Sequence, residues 1–330
     1  MNIKHFKLGA VIIFALLLIA GCGSGEEEVS GEGAGDFPNS TINLSVPFSA
    51  GGSGDIMVRE IARIMSEDLG IEQSIVVENR DGGSGAVAIN HMLGQPADGY
   101  TLLNQSSTAP LTMASGGLEF GPEELAPIAS MVSNYQTLSV LADSPFETID
   151  DLIEAAKENP GSINVGSSQT YGANHVFLLK FMREADIDLN YIAYDGGGEA
   201  LTSLLGGNTD VLASSGEVVQ EQVAAGEVRM LAISSAERVE DHPDVPTFAE
   251  LGMASLEDEL IWRAFFVHPD TPEEIQERWA EILKEVSETD RFKEYAENTN
   301  QDIYFTSGEE FKEIYYNYYE TAKELFDALN

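Results

Sequence analysis

Hydrophobic and polar positions alternate at Ile42, Leu44 and Val46 against Asn43 and Ser45; the alternation stops at Pro47, and apolar residues resume at helical spacing with Val58, Ile61, Met65 and Leu69. The pattern predicts a strand, a glycine-rich loop and a helix. The unit repeats: strands over 74–78 and 101–104, with a loop over 79–85 leading to a helix over 86–93 between them. After a strand over 137–142, Thr148-Ile149-Asp150-Asp151 predicts a capping box for a helix that ends before Pro160-Gly161. A second set of strands follows at 163–166, 189–194, 211–213 and 230–234, with helices closing near Glu184 and Leu205. Beyond Trp262 come a strand over 264–267, a long Glu-rich helix opened by Pro272, and a strand over 303–305. A second capping box, Ser307 to Glu310, introduces a C-terminal helix with Phe311, Ile314, Tyr315, Tyr318 and Leu325 on one face, a stripe that reads as core. Strands alternating with helices in this way predict an α/β protein with mainly parallel sheets.

The first 22 residues change the picture. Lys4 and Lys7 precede an apolar run over 8–20 that is short for a bilayer-spanning helix, and Ala20-Gly21 lead into Cys22, the single cysteine of the 330 residues. The run reads as a secretion signal, and its small-small-Cys ending resembles the lipobox of bacterial lipoproteins, which implies cleavage before Cys22 and acylation of its thiol. An ordinary signal or an uncleaved anchor is the plainer alternative. The expected layout is a lipoprotein signal peptide over 1–21 and a lipidated, flexible, glycine-rich tether over 22–40. With Cys22 so used, no cysteine is left for a disulfide, a thiolate nucleophile or a metal cage. The remaining stretch of about 290 residues predicts two domains.

Charge narrows the partners. A formal net charge of -39, from 56 acidic against 17 basic residues, argues against nucleic acid or anionic lipid. The acidic residues are scattered, as on a surface adapted to high salt, where screening weakens self-repulsion.

Candidate chemistry lies where strands run into loops, since open sheets bind ligands beyond the carboxyl ends of their strands. Phe48-Ser49-Ala50-Gly51-Gly52-Ser53-Gly54-Asp55 joins the first strand to a helix; it is neither a phosphate-binding Walker loop nor GxGxxG. Free N–H groups at such a helix start favour an anion such as a carboxylate. Ser106 and Ser107, Ser167-Ser168-Gln169 with Tyr171, and Asp195-Gly196-Gly197 offer hydroxyls, an amide, a phenol and backbone donors at other loops. Five histidines without GxSxG or HExxH give no recognisable nucleophile-base pair or zinc site. An enzyme built from dispersed residues remains the alternative of a different class.

These loops, with Val77-Glu78-Asn79-Arg80, Asp98-Gly99-Tyr100-Thr101-Leu102-Leu103, Asn174-His175, Tyr194 with Gly196-Gly197, and Pro243-Asp244-Val245-Pro246-Thr247, resemble the substrate-binding receptors of tripartite tricarboxylate transporters, the Bug-type family. The resemblance implies a type II periplasmic-binding-protein fold: two α/β domains joined by two crossing strands, with no catalytic activity, cofactor or metal. Carried onto this chain, the crossings fall near 138–141 and 262–266. The domains are then 41–140 plus 265–330, and 141–264. The implied ligand-binding residues are Phe48, Ser49, Ala50, Gly51, Gly52, Ser53, Asp55, Ser106, Ser107, Ser167, Ser168, Gln169, Tyr171, His175, Tyr194, Asp195, Gly196, Gly197 and Ser214. The implied partners are a small di- or tricarboxylate or related organic acid and membrane permease subunits, met by a monomer anchored through Cys22 on the extracytoplasmic face. A sensory receptor feeding a membrane kinase is the alternative use of the same cleft.

Individual positions carry two readings. Asp195 stands where the family usually has lysine; it either accepts a donor from the ligand or caps the next helix. Asp55 is cap, ligand contact or both; His175 contacts ligand or packs; Arg80 pairs with a ligand or braces a turn; Glu217 faces cleft or solvent.

Overall fold

A computed structural model describes residues 37–328 except 49 and 258, with the backbone alone at 84. The signal peptide, Cys22, the tether up to residue 36 and Ser49 lie outside the described residues. From Pro38 onward the described residues belong to one unit.

The elements in the first half are β1 (Ile42–Val46), α1 (Ser53–Glu67), β2 (Ile75–Asn79), α2 (Ala86–Leu93), β3 (Thr101–Ser106), α3 (Thr108–Ala114), β4 (Ala126–Asn134), β5 (Gln136–Leu141) and α4 (Ile149–Glu158). There follow β6 (Asn164–Ser168), α5 (Ala173–Ala185), β7 (Asn190–Tyr194), α6 (Gly197–Leu205), β8 (Val211–Ser215), α7 (Gly216–Ala224) and β9 (Val228–Ile233). The chain continues through β10 (Ile261–Val267), α8 (Glu273–Glu288), α9 (Asp290–Asn298), β11 (Asp302–Ser307) and α10 (Gly308–Asp327). Helix α1 shows why the pattern works: Met57, Val58, Ile61, Ile64 and Met65 recur every three or four residues and are all fully buried, while Arg59, Glu60 and Arg63 face outward. The Thr148 box forms as expected, with Thr148 Oγ1 accepting from the Asp151 N–H at 3.2 Å and Asp151 Oδ2 accepting from the Thr148 N–H at 2.8 Å.

Two sheets result. The first has the order β11-β4-β10-β3-β1-β2 and the second β7-β6-β8-β5-β9. The βα units pair in parallel, β1 with β2 and β3, β6 with β7 and β8. The expected mainly parallel pairing needs correction elsewhere, because β10 and β11 in the first sheet and β5 in the second pair antiparallel, making both sheets mixed. The reason is topological: β5 and β10 enter straight from the other sheet without a crossover helix to reverse them, and β11, reached from β10 through α8 and α9, keeps the direction of β10.

The passage between sheets is abrupt. Asn134 ends β4 in the first sheet and Gln136 begins β5 in the second, with Tyr135 alone between them. Strand pairing thus puts all of 136–141 in the second sheet and all of 261–267 in the first. Buried Ser234 ties the outgoing and returning segments together: its Oγ accepts from the Gln136 N–H at 2.8 Å and donates to Glu259 O at 2.9 Å.

The C-terminal stripe is core, as expected, with Phe311 and Tyr315 packed on Trp262 and Phe266. Its last turn does more: Ala322, Leu325 and Phe326 meet Ala173 and Val176 of α5 and Leu111 of α3, an apolar contact between the lobes built on the two sheets. The predicted box at Ser307 does not form; Ser307 makes no capping bond, and Gly308 takes a left-handed φ of +62° that departs from a regular helix start. The single Glu-rich helix is two, because Thr289 caps α9 by accepting from the Phe292 N–H.

Candidate functional site

In each sheet the chain reverses its direction of progress at one strand. β1 lies between β2 and β3, and β6 between β7 and β8, so the loops after β1 and β6 leave at the switch points where open sheets bind ligands. The carboxyl ends of β1 and β3 and the start of β10 share one end of the first sheet. Those of β6, β7 and β8 and the start of β5 share one end of the second. The one-residue link at Tyr135 joins these two ends, so the loops face each other across a cleft.

On the first side, Gly51 adopts a φ of +84°, a left-handed conformation that favours glycine. Its N–H donates to Asp55 Oδ2 at 2.8 Å. Asp55 Oδ1 accepts from Asn79 Nδ2 at 2.9 Å and pairs with Arg59 Nη2 at 2.9 Å, and Asn79 Nδ2 also donates to Phe48 O. The side chain of Asp55 is 4% exposed. Burial pushes its carboxyl up, yet the bonds from Arg59, Gly51 and Asn79 outweigh burial and hold it below the usual carboxylate value. Asp55 therefore spends both oxygens bracing the loop. With no side-chain cap at Gly52, the first-turn N–H groups of the 15-residue α1 have no intrahelical acceptor. Beneath this turn lies the buried Asn104, whose Oδ1 has no partner; Gln105 Nε2, on the other face of β3 beside Gly85, and the Ser107 hydroxyl are likewise buried without partners. Asn104 passes so close under Gly54 that a Cβ there would sit 3.2 Å from its Oδ1. Ser106 is buried beside them, and Phe48 is exposed.

On the second side, Gln169 and Tyr171 both hold positive φ, +42° and +64°, which costs about 1 kcal/mol or more per residue. Hydrogen bonds hold them there. Tyr171 N–H donates to His175 Nδ1 at 3.0 Å, Gln169 N–H to Tyr194 O at 3.0 Å, and Gly172 N–H to Gln169 O at 3.0 Å. Ser168 Oγ donates to Asn174 Oδ1 at 2.8 Å, and Asn174 Nδ2 to Gln136 Oε1 at 2.9 Å, so the loop is anchored on the crossing strand. His175 is buried and stacked on Tyr191 at 3.9 Å; burial pulls its pKa down to about 4, so at neutral pH it is an uncharged acceptor. Tyr171 is exposed, with its ring edge-on to Phe326 across the lobes at 4.9 Å.

Tyr194 bonds through its hydroxyl to Ser203, Ser214 is buried, and the Ser167 hydroxyl is buried without a partner. At Asp195 the capping reading fails: Gly196 is the N-cap, and the Asp195 N–H donates to Glu199 Oε2 at 3.1 Å, leaving the Asp195 side chain exposed. Gly197 packs on Val218, where a Cβ would come within 2.9 Å. Arg80 pairs with Glu78.

Sequence reasoning missed Arg263, which the fold brings into the same place. Its Nη2 donates to Ser53 Oγ at 2.7 Å and its Nη1 to Asn134 Oδ1 at 3.0 Å, and Glu217 of α7 lies 3.8 Å away. The available signal was a lone charge inside the apolar strand 261–267. Among the described residues, no group of three or more His, Cys, Asp or Glu is placed to hold a metal ion.

Two lobes with facing switch-point loops define the class of extracytoplasmic solute-binding proteins. A TctC solute-binding protein from Polaromonas superposes with a TM-score of 0.78 over 88% of this chain and 99% of its own, at 24% identity. MatC from Rhodopseudomonas palustris with bound malate (TM-score 0.70, 21% identity, 88% and 100% covered) and an R. palustris protein with adipate (0.71, 24%, 88% and 99%) share the fold. The family described as "Tripartite tricarboxylate transporter family receptor" matches residues 57–330, and the chain belongs to it. A curated relative, the UPF0065 protein in the tcbD-tcbE intergenic region of Pseudomonas sp. strain P51, is 32% identical over 262 residues, 77% of this chain and 76% of its own length. This is a family of extracytoplasmic receptors, not of enzymes. No helix among the described residues is long and apolar enough to cross a membrane.

Proposed function

We propose that this receptor captures a small organic carboxylate between its lobes and delivers it to a tripartite tricarboxylate-type permease. The observation that carries the reading is the start of α1: a helix with uncapped first-turn N–H groups, at a switch point, over the buried Asn104, whose Oδ1 lacks a protein partner. The carboxylate rests on Gly51 to Ser53, with Ser106, Ser107 and the loops 167–171 and 194–197 closing over it; Asp55 and His175 shape the walls. Malate and adipate in the two related structures support a carboxylate as cargo.

The moving bodies are 38–134 with 261–328, and 136–256, whose core includes Phe248, Met253 and Leu256; they are hinged at Tyr135 and at the return through Glu259 and Leu260. Closure requires the ligand to bind the closed state more tightly than the open one. Cys22, acylated, anchors a monomer to the membrane through the tether. Replacing Cys22 by Ala then releases the protein from cells, and retention of that variant at the membrane contradicts the anchor.

A thermal-shift series with malate, adipate, amino acids and aromatic acids tests the cargo. A ligand at about 100 times its Kd adds about 2.7 kcal/mol to the folded state, a rise of several degrees. The same titration followed by X-ray scattering reports a smaller radius of gyration on closure. No shift with any carboxylate at millimolar concentration overturns the proposal.

A further inference from the structure

Arg263 and Glu217 meet across the cleft beside the carboxylate-binding helix start. Arg263 comes from β10, where it lies opposite Ser106 of β3, and its side chain is 11% exposed. Its guanidinium donates to neutral oxygens, Ser53 Oγ at the first residue of α1 and Asn134 Oδ1 at the end of β4. A guanidinium has five donors, so this one keeps capacity for an anion. Glu217 belongs to the first turn of α7 in the second lobe, and at 3.8 Å it acts on Arg263 through charge, beyond hydrogen-bond distance. The loop carrying exposed Asp195 adjoins it, because Gly197 packs on Val218.

The cleft therefore has unlike walls. The first lobe presents a helix start and a guanidinium; the second presents Glu217 and Asp195. A carboxylate seated at Ser53 gains Arg263 as its counter-charge. The far end of the same ligand meets Glu217. A hydroxyl or ammonium there donates to it, whereas a second carboxylate would be buried against a like charge.

We propose that Arg263 and Glu217 are the specificity pair of this site, selecting a monocarboxylate with a hydroxyl or ammonium at its other end over a dicarboxylate of equal length. This rests on the carboxylate-receptor reading. The test is calorimetric titration of the wild-type protein, E217Q, R263Q and R263K with four-, five- and six-carbon sets, each comprising the dicarboxylate, the terminal hydroxy acid and the terminal amino acid. Wild type is expected to bind one donor-bearing acid about tenfold or more tighter than the matching dicarboxylate. E217Q should collapse that ratio by about tenfold, R263Q should weaken every member, and R263K should recover part of the loss, which separates loss of charge from misfolding. The hydroxy and amino arms identify the donor. A wild-type preference for the dicarboxylate, or a ratio unchanged in E217Q, overturns the specificity pair while leaving the receptor reading intact. Binding of none of these or of the acids tested above overturns both.

Discussion

The loop after β1 and the loop after β6 occupy corresponding places in the two sheets, yet different chemistry holds each. The first turns on Gly51 and is locked by charge: Asp55 receives Gly51, Asn79 and Arg59, and the loop hangs from the end of β2. The second turns on two residues with side chains, Gln169 and Tyr171, and is locked by neutral bonds from His175, Asn174 and Gln136. In the proposed function the first offers backbone N–H groups to the ligand, a role that suits glycine and a brace from behind. The second offers side chains in that reading, and its backbone strain at Gln169 and Tyr171 would serve to aim them. The two loops should also answer differently to acid, because a carboxylate braces one and a buried histidine the other.

The largest expected effect comes from removing the ionic brace. Asp55→Ala leaves a backbone N–H, an amide and a guanidinium without their acceptor and should cost about 3 kcal/mol in urea unfolding, with ligand affinity falling by more than tenfold. A loss under about 1 kcal/mol would mean that the loop does not depend on Asp55. The second effect is pH-dependent. His175 has a folded pKa of about 4 against an ordinary 6.5, so between these values the unfolded chain binds the extra proton. Its contribution is therefore whole above pH 6.5 and is lost on acidification, by about 1.4 kcal/mol per pH unit, until pH 4. Subtracting the stability profile of His175→Gln from wild type should reveal that slope, and parallel profiles would contradict it. Asp55, with its pKa lowered, gives the opposite comparison: its contribution persists through that window and fades only as the pH falls below its unfolded value.

A third, smaller effect probes the joint. A methyl group at Gly216 would fall on the Tyr135 ring at the crossing, so Gly216→Ala should cost about 1–3 kcal/mol and shift the scattering profile of the ligand-free protein. An unchanged profile would remove Tyr135 from the hinge. The smallest is a gain: Gln169→Gly relieves the positive φ and should stabilise the fold by about 0.5–1 kcal/mol while weakening binding. Equal stability would show that the loop carries no strain.

Local patterns reached the βα units but not what pairs across the sheets. β1, α1, α2 and the Thr148 box were legible because a period or a cap sits within a few residues. β4 was missed because most of it is buried on both faces: Ser130, Met131, Val132 and Ser133 all face core or neighbouring strands, so no alternation appears. At the site, the glycine loops announced themselves by composition. The brace on Asp55 did not, since Asn79 is 24 residues away, and neither did Arg263, whose partner Ser53 is 210 residues distant. Such partners become visible only when the two sheets are assembled.

The central claim is that the start of α1 cradles the ligand's carboxylate. Titration calorimetry of Gly52→Asp beside wild type tests it most directly, with whichever carboxylate gives the largest thermal shift. A carboxyl group added at the cap places like charge on the anion's seat while α1 keeps its favoured Asp cap, so the fold should hold and affinity should drop by about a hundredfold. Undiminished affinity in that variant would contradict the account.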